Sequence, residues 1–68
     1  MDLHLVQAFV DIVEAGNLAE AGRRRGVTRS QISRQLGLLE EQAGAMLLRR
    51  TTRRLEMTDA GQSLYEHG

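Results

Sequence analysis

The sequence predicts a mainly α-helical domain: a three-helix core containing a helix-turn-helix, then a small two-stranded β element and the start of a fourth helix. Three observations carry this. Residues Leu18 to Glu41 read LAEAGRRRGVTRSQISRQLGLLEE, two short helices meeting at a turn around Gly26. Apolar residues recur at helical spacing before and within that stretch. From Met46 to Thr58 the pattern changes to MLLRRTTRRLEMT, which reads as two short β runs.

The first helix should run from about Leu3 to Ala15, with Asp2 as N-cap and Gly16 ending it. Val6, Phe9, Val10 and Val13 form the i, i+3, i+4, i+7 stripe that faces a core. Leu5, Ala8 and Ile12 form a second stripe on a neighbouring face, and a helix apolar over this much of its surface usually has a second partner. Asn17 followed by Glu20 reads as a capping box opening the second helix, whose inward positions are Leu18, Ala21, Gly22 and Arg25. Arg25 stands where an apolar residue is expected. Its stem can pack while the guanidinium reaches solvent or the helix C-terminus, so Arg25→Leu is expected to stabilise the domain.

Small Gly22 lies four residues before Gly26, where two crossing helices need close approach, and Val27 can plug the corner. Thr28 caps the third helix, with Gln31 completing a capping box, and Gly44 should end it. Ile32, Leu36, Leu39 and Ala43 make a buried stripe. The opposite face offers Arg29, Ser30, Ser33, Arg34 and Gly37, residues that donate to phosphates and base edges or allow close approach. In a helix-turn-helix the second helix enters the DNA major groove. Two strands, about Leu47 to Arg50 and Arg54 to Met57, can then pair across a loose turn at Thr51 to Arg53, and Thr58 caps a final helix carrying Leu64 and Tyr65.

Sixty-eight residues make one small domain near the lower limit for a self-sufficient core. Cysteine is absent, so neither disulfides nor thiolate-held metals are available. No apolar run approaches the roughly 20 residues of a membrane span, and no signal-peptide pattern is present, which points to a cytoplasmic protein. The net charge is zero, but it is unevenly spread. All nine basic residues are arginines between Arg23 and Arg54, a segment whose acidic residues are Glu40 and Glu41, giving +7. Residues 1 to 22 carry −4 and residues 55 to 68 carry −3. One basic block between acidic flanks fits a phosphate-facing surface.

The residues resemble the N-terminal DNA-binding domain of LysR-type transcriptional regulators. The likeness runs from the MDL opening and Phe9-Val10 through the helix-turn-helix and SRQLGLLEE to LLRRTTRRLEMTDAG. The DNA-binding domain of ModE-type regulators is similarly built. The resemblance implies a winged helix-turn-helix, with the helix-turn-helix at about 18–43, a wing at about 46–57 and a linker helix from about 59. It implies sequence-specific binding of double-stranded DNA by a bacterial-type regulator acting as a homodimer. Its recognition helix, 29–43, would lie in the major groove, with Thr28, Arg29, Ser30, Gln31, Ser33 and Arg34 facing bases or groove. The wing residues Arg49, Arg50, Thr51, Thr52, Arg53 and Arg54 would meet the phosphate backbone. Leu5, Ala8, Ile12, Leu64 and Tyr65 are expected at the dimer contact, so Ile12→Glu should impair cooperative binding and spare a single half-site. The effector-binding domain that follows in such regulators lies outside this sequence.

Some positions depart from the family pattern. Arg29, Ser30 and Gln31 stand where Gln-Pro-Ala is favoured, and Arg29 can bond a guanine through O6 and N7. Gly37 stands where a basic residue is common, and Arg25 replaces a leucine. A winged helix used only for protein–protein association would share the core stripes without needing Arg29, Ser33, Arg34 and the wing arginines on one side. An enzyme is not expected: His4 and His67 lie near opposite ends, adjacent Glu40 and Glu41 diverge on a helix, and no serine has a recognisable base. No cofactor or metal is called for.

Overall fold

The computed structural model describes residues 2–50 and 55–67. Its elements are α1 (Leu3–Ala15), α2 (Leu18–Arg25), α3 (Arg29–Ala43), β1 (Leu48–Arg50), β2 (Leu55–Met57) and α4 (Asp59–His67). The three-helix core, the two-stranded sheet and the final helix agree with the mainly α fold expected. The Thr51 to Arg53 turn, and Arg54 at the start of the second expected strand, lie outside the described residues.

Each helix starts where a short polar side chain meets orphan N–H groups. Asp2 accepts the His4 N–H at 2.9 Å, and Asn17 accepts the Glu20 N–H at 2.8 Å. The Glu20 carboxylate turns to Arg23 and Arg24 rather than back to Asn17, so the expected second half of that box is not made. The box at α3 is complete. Thr28 Oγ1 accepts the Gln31 N–H at 3.1 Å, and Gln31 Oε1 accepts the Thr28 N–H at 2.9 Å.

The turn between α2 and α3 rests on two glycines. Gly26 has φ 72°, the left-handed region that glycine enters without a Cβ penalty. Gly22 sits under the turn, its carbonyl accepting the Val27 N–H at 2.9 Å. A methyl group at Gly22 would stand 2.8 Å from the Val27 carbonyl oxygen, so the corner closes only over glycine.

Leu5, Val6, Ala8, Phe9 and Ile12 of α1 meet Leu18 and Ala21 of α2, Ile32 and Leu39 of α3, and Leu47 and Leu48 at the wing. Burying a Leu, Ile or Phe side chain contributes about 1.5–3 kcal/mol, and these residues supply most of what holds a chain this short together. The expected inward stripe of α1 needs correction. Leu5, Ala8 and Ile12 are 7%, 0% and 0% exposed, inside the single-chain core, whereas Val10 and Val13 are half-buried at its margin. Both α2 and α3 pack on α1, so its buried arc is wide and centres on Leu5, Phe9 and Ile12. The surface reserved for a second chain is therefore already covered by this one.

β1 and β2 are antiparallel, with Leu48 opposite Met57, Arg49 opposite Glu56 and Arg50 opposite Leu55. Leu47, expected within the first strand, is instead held outside the ladder: its N–H goes to Glu40 and its carbonyl to the Thr58 N–H. Thr58 caps α4 by accepting the Gly61 N–H at 3.1 Å.

Candidate nucleic-acid interface

The polar face of α3 follows from its periodicity. Ile32 and Leu39 are fully buried and Leu36 and Ala43 pack against the core, which turns Arg29, Ser30, Ser33, Arg34 and Gly37 outward, all exposed. Thr28 and Gln31 are exposed as well, but part of their bonding capacity is used in the capping box. Thr28 Oγ1 keeps its own proton to donate, and Gln31 keeps its side-chain amide N–H groups.

Ion pairing divides the basic block. Glu20 accepts Arg23 Nε at 2.9 Å, Arg23 Nη2 at 2.5 Å and Arg24 Nε at 3.2 Å. The hydrogen bonds from Arg23 and then Arg24, working against desolvation, lower the Glu20 carboxyl from its ordinary 4.5 to about 2. Arg25 pairs with Asp11 at 2.8 Å, correcting the expectation that its guanidinium would run to solvent or the helix end. Arg49 faces Glu56 across the ladder, a loose pair at 3.9 Å. Among the described residues, Arg29 and Arg34 are arginines with no carboxylate within 4.0 Å. Both lie on the exposed face of α3, which therefore carries positive charge that no described carboxylate offsets.

A cleft of about 540 Å³ runs between α3 and the wing, with Ser33, Gly37 and Arg49 along it and Leu36, Leu48 and Leu55 at its floor. Residues from the middle of α3 and from both wing strands thus line one cleft. Of the other wing residues singled out, Arg50 is in β1 opposite Leu55, while Thr51, Thr52, Arg53 and Arg54 lie outside the described residues. Leu64 and Tyr65 are half-buried against their own chain's core.

Three residues that position this surface were not singled out for it. Glu40 accepts the N–H groups of Leu47 and Leu48 at 2.8 and 3.3 Å. Thr58, beyond capping α4, donates its hydroxyl to the Met46 carbonyl at 2.6 Å. Gly61, buried in the first turn of α4, lies so close to the Leu47 carbonyl that a methyl group there would run into it. A glycine at a helix position that gains nothing from flexibility was the available signal.

A family model described as bacterial regulatory helix-turn-helix protein, lysR family, matches residues 3–62. The chain is 44% identical over 59 residues to a probable HTH-type transcriptional regulator LtrA of Klebsiella pneumoniae, covering 87% of this chain and 19% of that protein. It is 40% identical over 65 residues to the HTH-type transcriptional regulator BudR of Raoultella terrigena, covering 96% of this chain and 22% of that one. The chain thus spans about a fifth of the length of these regulators. Among solved structures, the CbnR_DBD–DNA complex superposes with a TM-score of 0.90 at 37% identity, covering 98% of this chain and 77% of that one. The BenM_DBD/catB site 1 DNA complex gives 0.91 at 31%, covering 98% and 72%. Fold, helix-turn-helix and family match coincide over the same residues, and the chain belongs to the LysR family of bacterial regulatory helix-turn-helix proteins.

Proposed function

We propose that this chain binds duplex DNA sequence-specifically as the winged helix-turn-helix domain of a transcriptional regulator. The observation that carries this is a pair of arginines, Arg29 and Arg34, on the exposed face of α3 and without an acidic partner among the described residues. With α3 in the major groove, Arg29 sits at its N-terminal turn, where a guanidinium can take the O6 and N7 of a guanine. Ser33 and Arg34, one turn on, donate to bases or phosphates. Thr28, Ser30 and the free amide of Gln31 extend the same contact. The wing supplies backbone contacts through Arg49, Arg50, Thr51, Thr52, Arg53 and Arg54. The DNA complexes formed by the CbnR and BenM domains support this reading by likeness.

The regulator acts as a homodimer in the bacterial cytoplasm. With Leu5, Ala8 and Ile12 assigned to the core, the dimer contact falls to α4, where Leu64 and Tyr65 remain half-exposed. Such dimers read half-sites roughly 34 Å apart.

Selection of bound sequences from a random duplex library tests the reading. A recurring half-site containing a guanine whose loss weakens binding is expected, and Arg29→Ala should abolish the preference for that base. No enrichment over the starting library at low salt would leave a protein-association module as the better description.

A further inference from the structure

The peptide from Met46 to Leu48 is gripped by two elements that the helix-turn-helix pattern does not connect. On one side Glu40, in the last turn of α3, takes two N–H groups with a single carboxylate oxygen, Leu47 at 2.8 Å and Leu48 at 3.3 Å. The same residue's carbonyl ends the helix by accepting the Gly44 N–H at 2.9 Å. On the other side Thr58 takes the carbonyls, its hydroxyl donating to Met46 at 2.6 Å and its N–H to Leu47 at 3.0 Å. Gly61 lets the first turn of α4 lie directly on the Leu47 carbonyl. Leu47 is 1% exposed, so an N–H released there would have no water to turn to. Hydrogen bonds to a carboxylate are stronger than those to a neutral acceptor.

We infer that Glu40 is a positioning residue for DNA binding: its carboxylate fixes the wing, and with it the start of α4, at one angle to the recognition helix. The inference rests on the DNA-binding reading above. Wing arginines reach the phosphate backbone while α3 occupies the groove only if that angle is held. Without the carboxylate, the Met46–Leu48 peptide keeps its hydrogen bonds to Thr58 and the core packing of Leu47 and Leu48 but loses its polar tie to α3, and the wing is freer to turn against the recognition helix.

The test compares Glu40→Ala and Glu40→Gln with the wild-type chain, reading amide hydrogen exchange by NMR and affinity for a duplex oligonucleotide across a salt series. In Glu40→Ala the Leu47 and Leu48 amides should exchange about tenfold faster or more, as loss of a charge-assisted bond implies, while α1 and α2 amides keep their rates. Affinity should fall about tenfold with a shallower salt dependence, because the lost contacts are phosphate contacts. Glu40→Gln keeps an acceptor oxygen without the charge and should fall between the two in both readouts. Unchanged exchange at both amides overturns the inference. So does unchanged affinity and slope in Glu40→Ala when the wild type binds. If Glu40→Ala does not fold, Glu40→Gln decides on the same criteria. A wild type that binds no duplex defeats the DNA-binding reading instead, and the exchange rates still decide whether Glu40 holds the wing.

Discussion

The guanidinium of Arg25, the last residue of α2, is bonded to the carboxylate of Asp11 in the middle of α1, Nη1 to Oδ2 at 2.8 Å. The two side chains are 15% and 33% exposed, and Nη2 of the same guanidinium lies 3.3 Å from the His4 ring. The arginine where an apolar residue was expected is thus a tie between two core helices. Arg25→Leu should therefore destabilise the domain, by about 1 kcal/mol after allowing for partial solvent screening of the pair, although more apolar surface would be buried. Urea denaturation of Arg25→Leu, Asp11→Asn and the double variant checks this. A more stable Arg25→Leu, or fully additive effects, would mean the pair is inert.

Ile12→Glu discriminates between core and dimer surface. Ile12 is fully buried within one chain, so a carboxylate there loses the packing of a buried isoleucine and adds an unpaired charge. The cost should be on the order of 4 kcal/mol, enough to unfold most of a domain this small. Circular dichroism melts should show lost helix at room temperature. A folded variant with normal single-site binding and impaired cooperativity would restore Ile12 to an interface.

How much was legible depended on the range of the interaction. Asp2, Asn17 and Thr28 as caps, and Gly22 beneath the Gly26 turn, are local features and could be read from spacing. The outward face of α3 could be read because Ile32 and Leu39 fix the inward one. On α1 two adjacent apolar arcs compete, and only the placement of α2 and α3 decides between them. Arg25 finds a partner fourteen residues upstream, and Glu40 bonds backbone groups seven and eight residues on. No periodicity encodes such pairs.

Glu20 sets a pH dependence. Its carboxyl is lowered from the ordinary 4.5 to about 2, chiefly by the hydrogen bond from Arg23. A depressed acid contributes stability that is fully present above its unfolded-state pKa and lost as pH falls through the folded one. The contribution should therefore disappear between about pH 4.5 and about 2. Carboxyl NMR titration should place Glu20 well below the ordinary 4.5, and Glu20→Gln should remove that part of the acid response. A midpoint in the ordinary glutamate range would show that the pair does not persist in solution.

Gly37 is an exposed helix-interior glycine, and a methyl group there would have open space, with no described atom within 4 Å. Gly37→Ala should stabilise the chain by about 0.5–1 kcal/mol through helix propensity alone. The melting temperature should rise by several degrees. A lower one would reveal a constraint on this turn of α3 that the isolated chain does not display.

The most direct test of the DNA-binding surface is the salt dependence of duplex affinity for Arg34→Ala beside Arg25→Ala. Each phosphate contact releases counterions, so losing one lowers the slope of log affinity against log salt by about one. Arg34, with no acidic partner on the open face of α3, should show that loss; Arg25, turned inward to Asp11, should leave the slope unchanged. An unaltered slope for Arg34→Ala, or an equal loss for both variants, would contradict the assignment of α3 as the recognition element.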